Sequence, residues 1–353
     1  MNLHELLSFG GFIIIIIIFL IIDLGVFDKK AHVVSFKESL MWTIIWIVVS
    51  VLFFLVLRFF GNELHGPENM SELKELSIRY KHNLNFDGLS FQEAIKLYNH
   101  NLSIEYITGY LVEKSLSIDN IFVFILIFAS FGIPEEHYKR VLTWGIIGAV
   151  LMRFIFIFVS SALIQKYAWI LYIFGGFLVI AGLKMFFSKS DEKKDPSNNF
   201  IVKWLSKRFN ITETLHGQDL IFREKGKVFL TPLFITLVVV ELSDVIFAID
   251  SIPAVFAVTK DPFVVFFSNI FAILGLRSMF FLLNNIIDKF RFLKVGLAVL
   301  LLFIGLKMLL IDWIEKSAIN YETWHSLIII FLILLVSVLA SIMFPAKEEK
   351  NVQ

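Results

Sequence analysis

Apolar residues in this chain fall in blocks of about 18–25 residues, the length an α-helix needs to cross the hydrocarbon core of a bilayer. Nothing else in the sequence constrains the fold as much. Inside lipid every backbone N–H and C=O must be satisfied within the spanning structure, which leaves helices for segments of this length. Composition agrees: 58% of the 353 residues are hydrophobic and 18% are charged, whereas soluble domains carry about a quarter charged residues. The expected fold class is all-α, a polytopic helical membrane protein.

The first block, FGGFIIIIIIFLII at 9–22, has the apolar core of a signal peptide. No Lys or Arg precedes it, however, and Asp23 and Asp28 follow it in place of a small-residue cleavage site. It reads as a retained helix. Cysteine is absent, which excludes disulfides, thiolate metal sites and Cys nucleophiles. The net charge is +1 with no basic block, so no nucleic-acid partner is expected.

About nine transmembrane helices are expected, at 9–27, 38–60, 103–131, 140–161, 168–187, 229–258, 262–284, 295–311 and 326–344. One alternate set of connections holds 19 Lys and Arg, the other 7. The basic set is cytoplasmic by the positive-inside rule, which places the N-terminus outside and the C-terminus inside. Residues 1–60 then carry two N-terminal helices, and 61–102 form an extracytoplasmic loop containing a short amphipathic helix. A three-helix unit at 103–187 is followed by a charge-rich cytoplasmic loop at 188–228. A second three-helix unit at 229–311 precedes the last helix and tail at 312–353. Within the cytoplasmic loop, IVKWLSKRF at 201–209 fits either an inner-leaflet surface helix or an ordinary loop helix.

The two three-helix units repeat one another. Glu113 precedes Asp119 by six residues in EKSLSIDNI, and Asp244 precedes Asp250 by six in DVIFAIDSI. Arg153 and Arg277 follow, then GLKM at 182–185 and again at 305–308. An odd number of spans per unit inverts the second relative to the first. Secondary transporters commonly use this plan, with the substrate site at the midplane between the repeats.

The sixth span, TPLFITLVVVELSDVIFAIDSIPAVFAV at 231–258, carries Glu241, Asp244 and Asp250. An acid near the bilayer centre costs about 2.5–3.5 kcal/mol on insertion scales and usually marks a pathway. Asp244 and Asp250 are about 120° apart on an unbroken helix, so bringing them to one ion requires a break. Pro253 is the expected cause, because it leaves the Ile249 carbonyl without a donor. That carbonyl, Asp250 and Ser251 would then offer hard oxygen ligands. Ser268 and Asn269 are further candidate ligands or interhelical hydrogen-bonding residues.

Arg153 and Arg277 are expected to orient and neutralise the acids, and Lys184 and Lys307 to snorkel toward headgroups. Five intramembrane acids against Lys114, Arg153 and Arg277 leave a net of −2. One divalent cation would balance that charge, and so would two protons. The alternative is that the acids only form structural ion pairs with these bases, although such pairs are weak sources of stability. All eight histidines fall in loops or at span ends. Carboxylate, amide and carbonyl oxygens favour Mg, Ca or Mn over Zn or Cu.

DLGVF at 23–27, SFKESLMWTIIW at 35–46, EYITGYLVEKSLSIDNIFVF at 105–124, TPLF at 231–234 and VELSDVIFAIDSIPAVFAVTKDPFVVFFSNIFAILGLR at 240–277 resemble the TerC family, grouped with LysE-type exporters. The resemblance implies a multi-pass protein of the bacterial inner membrane. Its members are associated with manganese export, with metal supply to exported proteins and with tellurium resistance. The family's acidic motifs map onto Glu113, Asp119, Asn120, Glu241, Asp244 and Asp250 as metal-binding residues, with Ser251, Pro253, Arg153, Arg277, Ser268 and Asn269 in support.

The function expected on these grounds is export of a divalent ion, manganese(II), by alternating access with proton coupling. Manganese(II) is the transported ion, and no resident cofactor is expected. The expected partners are the lipid bilayer, the metal ion, protons and exported metalloproteins. An enzyme is not expected, since neither HExxH nor a GxGD-type arrangement is present. The alternative class is a membrane factor that supplies metal to exported proteins or acts in a tellurite-resistance complex.

Overall fold

The computed structural model describes residues 3–23, 34–167, 169–187, 210–212, 215–224, 226–284, 292–310 and 323–344. The side chains of Asp119 and Asp250 lie outside this set, as does the 201–209 segment. The architecture is all-α apart from one small sheet. A helix lies on each segment expected to cross the bilayer: α1 (Leu3–Asp23), α2 (Phe36–Phe60), α4 (Phe91–Ser130), α5 (Glu135–Lys166), α6 (Ile170–Phe187), α7 (Pro232–Phe256), the pair α8 (Pro262–Ile273) and α9 (Leu276–Asn284), α10 (Leu293–Leu309) and α11 (Thr323–Met343). Among the described residues, Phe36–Leu64, Glu135–Ile164 and Pro232–Phe256 are each long and apolar enough to cross alone, and α8 with α9 makes a fourth such unit, bent by 41°.

Helix starts follow the capping chemistry of the sequence. Thr231 accepts from the Phe234 N–H with Pro232 in the first turn, and Asp261 accepts from the Phe263 N–H with Pro262 in the same place. Between α2 and α4, the chain forms a 3₁₀ turn (Gly61–Leu64) and the short α3 (Met70–Arg79), which starts on an Asn69 cap. α3 is the expected amphipathic helix, with Leu73 and Leu76 buried. The loop is shorter than expected, because α4 begins at Phe91 and runs for 40 residues. That is about 60 Å of helix, roughly twice the hydrocarbon thickness. The loop before α7 contains a three-stranded sheet that periodicity did not reveal. Its order is β1-β3-β2, from β1 (Asn210–Ile211), β2 (Ile221–Glu224) and β3 (Lys227–Leu230).

All twelve residues of α8 are buried, making it the centre of the bundle. α4 packs along it, α5 packs on α7, α2 on α4, and α6 on α10. Aromatic rings fill the space beside α8: Phe53 stacks on Phe271 with centroids 4.5 Å apart and meets Tyr106 edge-on at 5.0 Å. α6 and α10 approach until backbones touch. A Cβ on Gly305 would lie 2.8 Å from the Gly175 carbonyl, and one on Gly182 would lie 3.0 Å from the Ala298 carbonyl.

The expected break in the sixth span is absent. α7 runs continuously from Pro232 through Pro253 to Phe256. Pro253 sits one turn from the end and removes the N–H that would meet the Ile249 carbonyl, yet the helix continues past it to Phe256. The break falls instead in the seventh span, at Leu274–Gly275 between α8 and α9. Gly275 has φ +77°, and a Cβ there would lie 2.6 Å from Trp46 Cδ1. Both the left-handed backbone and the close indole require glycine.

Candidate functional site

The acidic positions of α4 and α7 meet the basic position of α5 and the polar position of α8 in the middle of the bundle. Arg153 of α5 donates through Nη1 to Glu113 Oε1 of α4 and, at 3.0 Å, to Asn269 Oδ1 of α8. Its Nη2 lies 3.4 Å from Asp244 Oδ1 of α7. Glu113, Arg153 and Asn269 have no solvent exposure, and Asp244 retains 3%. Asn269 is held in turn, its Nδ2 donating to the Val265 carbonyl at 3.0 Å. One guanidinium therefore bridges the acids of α4 and α7.

The bridge is incomplete. Glu113 Oε2, Asp244 Oδ2, Arg153 Nε and the hydroxyls of Ser117 and Ser251 are buried without a hydrogen-bond partner. Buried groups of this kind normally find partners, and leaving one unmade costs about 1–3 kcal/mol. The set offers hard oxygens beside a buried cation. Among the described residues, no three His, Asp or Glu side chains form a metal-holding group.

Asn120 is buried near the same centre of α4, and the backbone of Asp119 continues the helix beside it. Glu241 reaches toward α5, with its carboxylate packed against Gly148, where an added Cβ would push the carboxylate aside. Ser268 donates to the Val265 carbonyl at 3.0 Å and lies where α4 approaches α8 at Gly109.

Two basic residues are placed differently from expectation. Arg277 donates to the main-chain carbonyl of Asp23 at the end of α1. It also lines a narrow cleft with Asp244, Phe124 and Phe280. Lys307 turns inward rather than toward headgroups, donating to the Ala257 carbonyl at 3.3 Å and to Ser326 Oγ at 2.9 Å. A snorkelling lysine would forgo these bonds, so the buried acceptors win.

A second polar cluster lies at the end of the bundle that carries residues 61–90. His65 Nε2 and Asp261 Oδ2 are 2.8 Å apart, and His82 Nδ1 and Glu105 Oε1 are 2.8 Å apart. Glu105 also accepts from Thr259 at 2.5 Å and from Asn101 at 2.7 Å. All of these carboxylates and imidazoles are at least nine-tenths buried. Burial works against a charged His82, but the Glu105 carboxylate outweighs it and raises the imidazole above its ordinary value. Burial likewise works against an ionised Asp261, and the neighbouring His65 outweighs it and holds the carboxyl below its ordinary value. The sequence offered a weak signal in His65 and His82, which sit in a polar loop where histidine is unremarkable.

The "Integral membrane protein TerC family" profile matches residues 98–349. A protein of Photorhabdus laumondii, whose name proposes a membrane-bound redox modulator, Alx, is 42% identical over 308 residues covering 87% of each chain. A membrane protein of Myxococcus xanthus is 42% identical over 309 residues, covering 87% of this chain and 84% of its own. A membrane protein of Rickettsia felis is 38% identical over 331 residues, covering 94% and 96%. No solved structure matches the chain. The apolar helices and these matches agree that the protein is a membrane-embedded, multi-pass member of the TerC family.

Proposed function

We propose that this protein is a carrier, not an enzyme, that exports a divalent metal ion by alternating access, and that the ion is manganese(II). The observation that carries the reading is the buried Glu113–Arg153–Asp244 bridge with two carboxylate oxygens left unpartnered. The guanidinium lies between the two carboxylates and holds one oxygen of each. An incoming dication is offered the free oxygens of Glu113 and Asp244 with the Ser117 and Ser251 hydroxyls nearby. Oxygen donors of this kind suit Mn, Mg or Ca, and the family resemblance selects manganese among them. Return of protons to the acids would balance the charge exported.

The packing of the helices supports an inverted repeat of two three-helix units within a nine-span bundle. α4 lies on α8 while α7 lies on α5, and α6 lies on α10. Matching the two GLKM segments pairs Gly182 with Gly305 and Gly175 with Ala298. The close approaches are Gly175 to Gly305 and Gly182 to Ala298. Exchanging the units maps one contact onto the other, as a two-fold axis requires. In this reading the N-terminus is outside the bacterial inner membrane and the C-terminus is cytoplasmic. The sequence has no cysteine, so a redox role of the kind the relative's name proposes would not run through thiols of this chain.

The test is metal uptake into proteoliposomes containing the purified protein alone, across a series of divalent ions, with and without a proton gradient. Manganese flux that Asp244→Asn and Asp250→Asn abolish is the expected result. Flux equal to wild type in both variants would sink the carrier reading. Flux that requires a second protein would favour the metal-supply factor instead.

A further inference from the structure

The break between α8 and α9 carries its own cation. A helix that ends inside a bundle leaves its last carbonyls without intrahelical donors, and broken helices in transporters use such carbonyls to coordinate cations. Here the Lys114 ammonium, reaching across from α4, donates to the Ala272 carbonyl at 3.0 Å and to the Leu274 carbonyl at 3.4 Å. Beside the break stands Asp23, the last residue of α1, which is 1% exposed and whose two carboxylate oxygens accept no hydrogen bond. Lys114 and Arg277 are the cations whose charges act on that carboxylate. The Gly275 amide and the Trp46 indole are directed at it without completing hydrogen bonds.

The arrangement belongs to one half of the molecule. Counting back from the matched arginines, Gly275 corresponds to Leu151, and α5 runs unbroken through that position. Aligning Glu113 with Asp244 places Val245 opposite Lys114. The other repeat therefore lacks both the break and the lysine. Loss of the two together is what a paired device predicts, since an ammonium without exposed carbonyls would be a buried, unpartnered charge.

We infer that Lys114 is a tethered cation filling a cation-binding site made by the Ala272 and Leu274 carbonyls and the Asp23 carboxylate, so that no free monovalent cation is needed there. Removing the ammonium while keeping the carbonyls and Asp23 creates a vacancy for a small monovalent cation. A simple helix prop makes no such prediction. Ion occupancy is measured without flux, so its failure is separate from failure of the transport reading.

The experiment is thermal unfolding of the full chain in detergent, in choline, sodium, potassium or methylammonium chloride at constant ionic strength. Wild type unfolds at the same midpoint in all four salts. Lys114→Met is destabilised in choline and regains about 2–4 °C, saturably, in at least one of the three small cations. The gain disappears in the Asp23→Asn/Lys114→Met double variant. A folded Lys114→Met that responds to none of the small cations overturns the inference, as does a double variant that keeps the gain. Should Lys114→Met not fold, wild type still decides: a saturable rise in sodium or potassium that Asp23→Asn removes shows the site open to free ions and overturns it.

Discussion

His65 Nε2 lies 2.8 Å from Asp261 Oδ2, with both side chains fully enclosed although they are 196 positions apart in sequence. The contact fastens the 61–90 segment to the start of the central helix α8. Asp261 does two jobs there, since its other oxygen caps α8 by accepting from the Phe263 N–H at 2.9 Å. His65→Ala strands the carboxylate without its imidazole and is expected to cost about 3–5 kcal/mol. Asp261→Asn keeps a capping oxygen and strands no charge, so it is expected to cost less than half as much. Chemical or thermal denaturation in detergent measures both, and equal costs would contradict this account.

The His82–Glu105 pair makes stability depend on pH with a defined sign. Because Glu105 holds His82 above its unfolded value of 6.5, the pair contributes fully below that pH and is lost as pH rises through the folded value. His65 and Asp261 also act on His82, while Thr259 and Asn101 contact Glu105. Asp261 has the opposite sign. Its depressed value contributes above pH 3.8 and is lost only as pH falls through the folded value. Between those limits the midpoint is expected to fall on going from pH 6.5 to alkaline pH. Glu105→Gln should flatten that slope, and a slope unchanged by Glu105→Gln would rule out His82 as its source.

Arg153 holds Glu113 and Asp244 in a common bridge, so substitutions there should be strongly non-additive. Arg153→Met is expected to cost about 3–5 kcal/mol, because it leaves buried carboxylates uncompensated. Combining it with Glu113→Gln should recover about 1–3 kcal/mol relative to the sum of the single changes. A double-mutant cycle read by unfolding in detergent checks this, with additivity as the contrary result.

The membrane architecture was legible because hydrophobic length is a local property. FGGFIIIIIIFLII can be recognised as a helix without knowing its neighbours. The site was legible in part for a similar reason: Glu113 and Asp244 are conspicuous as acids in apolar surroundings. Their partner was less so. Arg153 and Arg277 occupy matching places in the repeat, yet Arg153 bridges the acids and Arg277 binds the end of α1. Symmetry in sequence did not carry over to symmetry of contact: α1 packs its phenylalanines on both α5 and α8, but its terminal Asp23 carbonyl meets Arg277 alone of the two arginines.

Proline and glycine show the same division. Pro253 is a local reason for a helix to break, yet α7 carries it and continues to Phe256. Gly275 is one glycine among several in apolar runs, and its left-handed turn depends on Trp46 packing over it and on Lys114 binding the carbonyls it leaves free. By itself the sequence determined the helical class and made the acids in apolar surroundings conspicuous, because each follows from the transfer energy of a short segment. Only the tertiary structure decided where the bundle breaks, which arginine meets the acids, that His65 meets Asp261 and that Lys114 meets the carbonyls at the break, because those outcomes depend on which distant segments compete for the same buried polar groups.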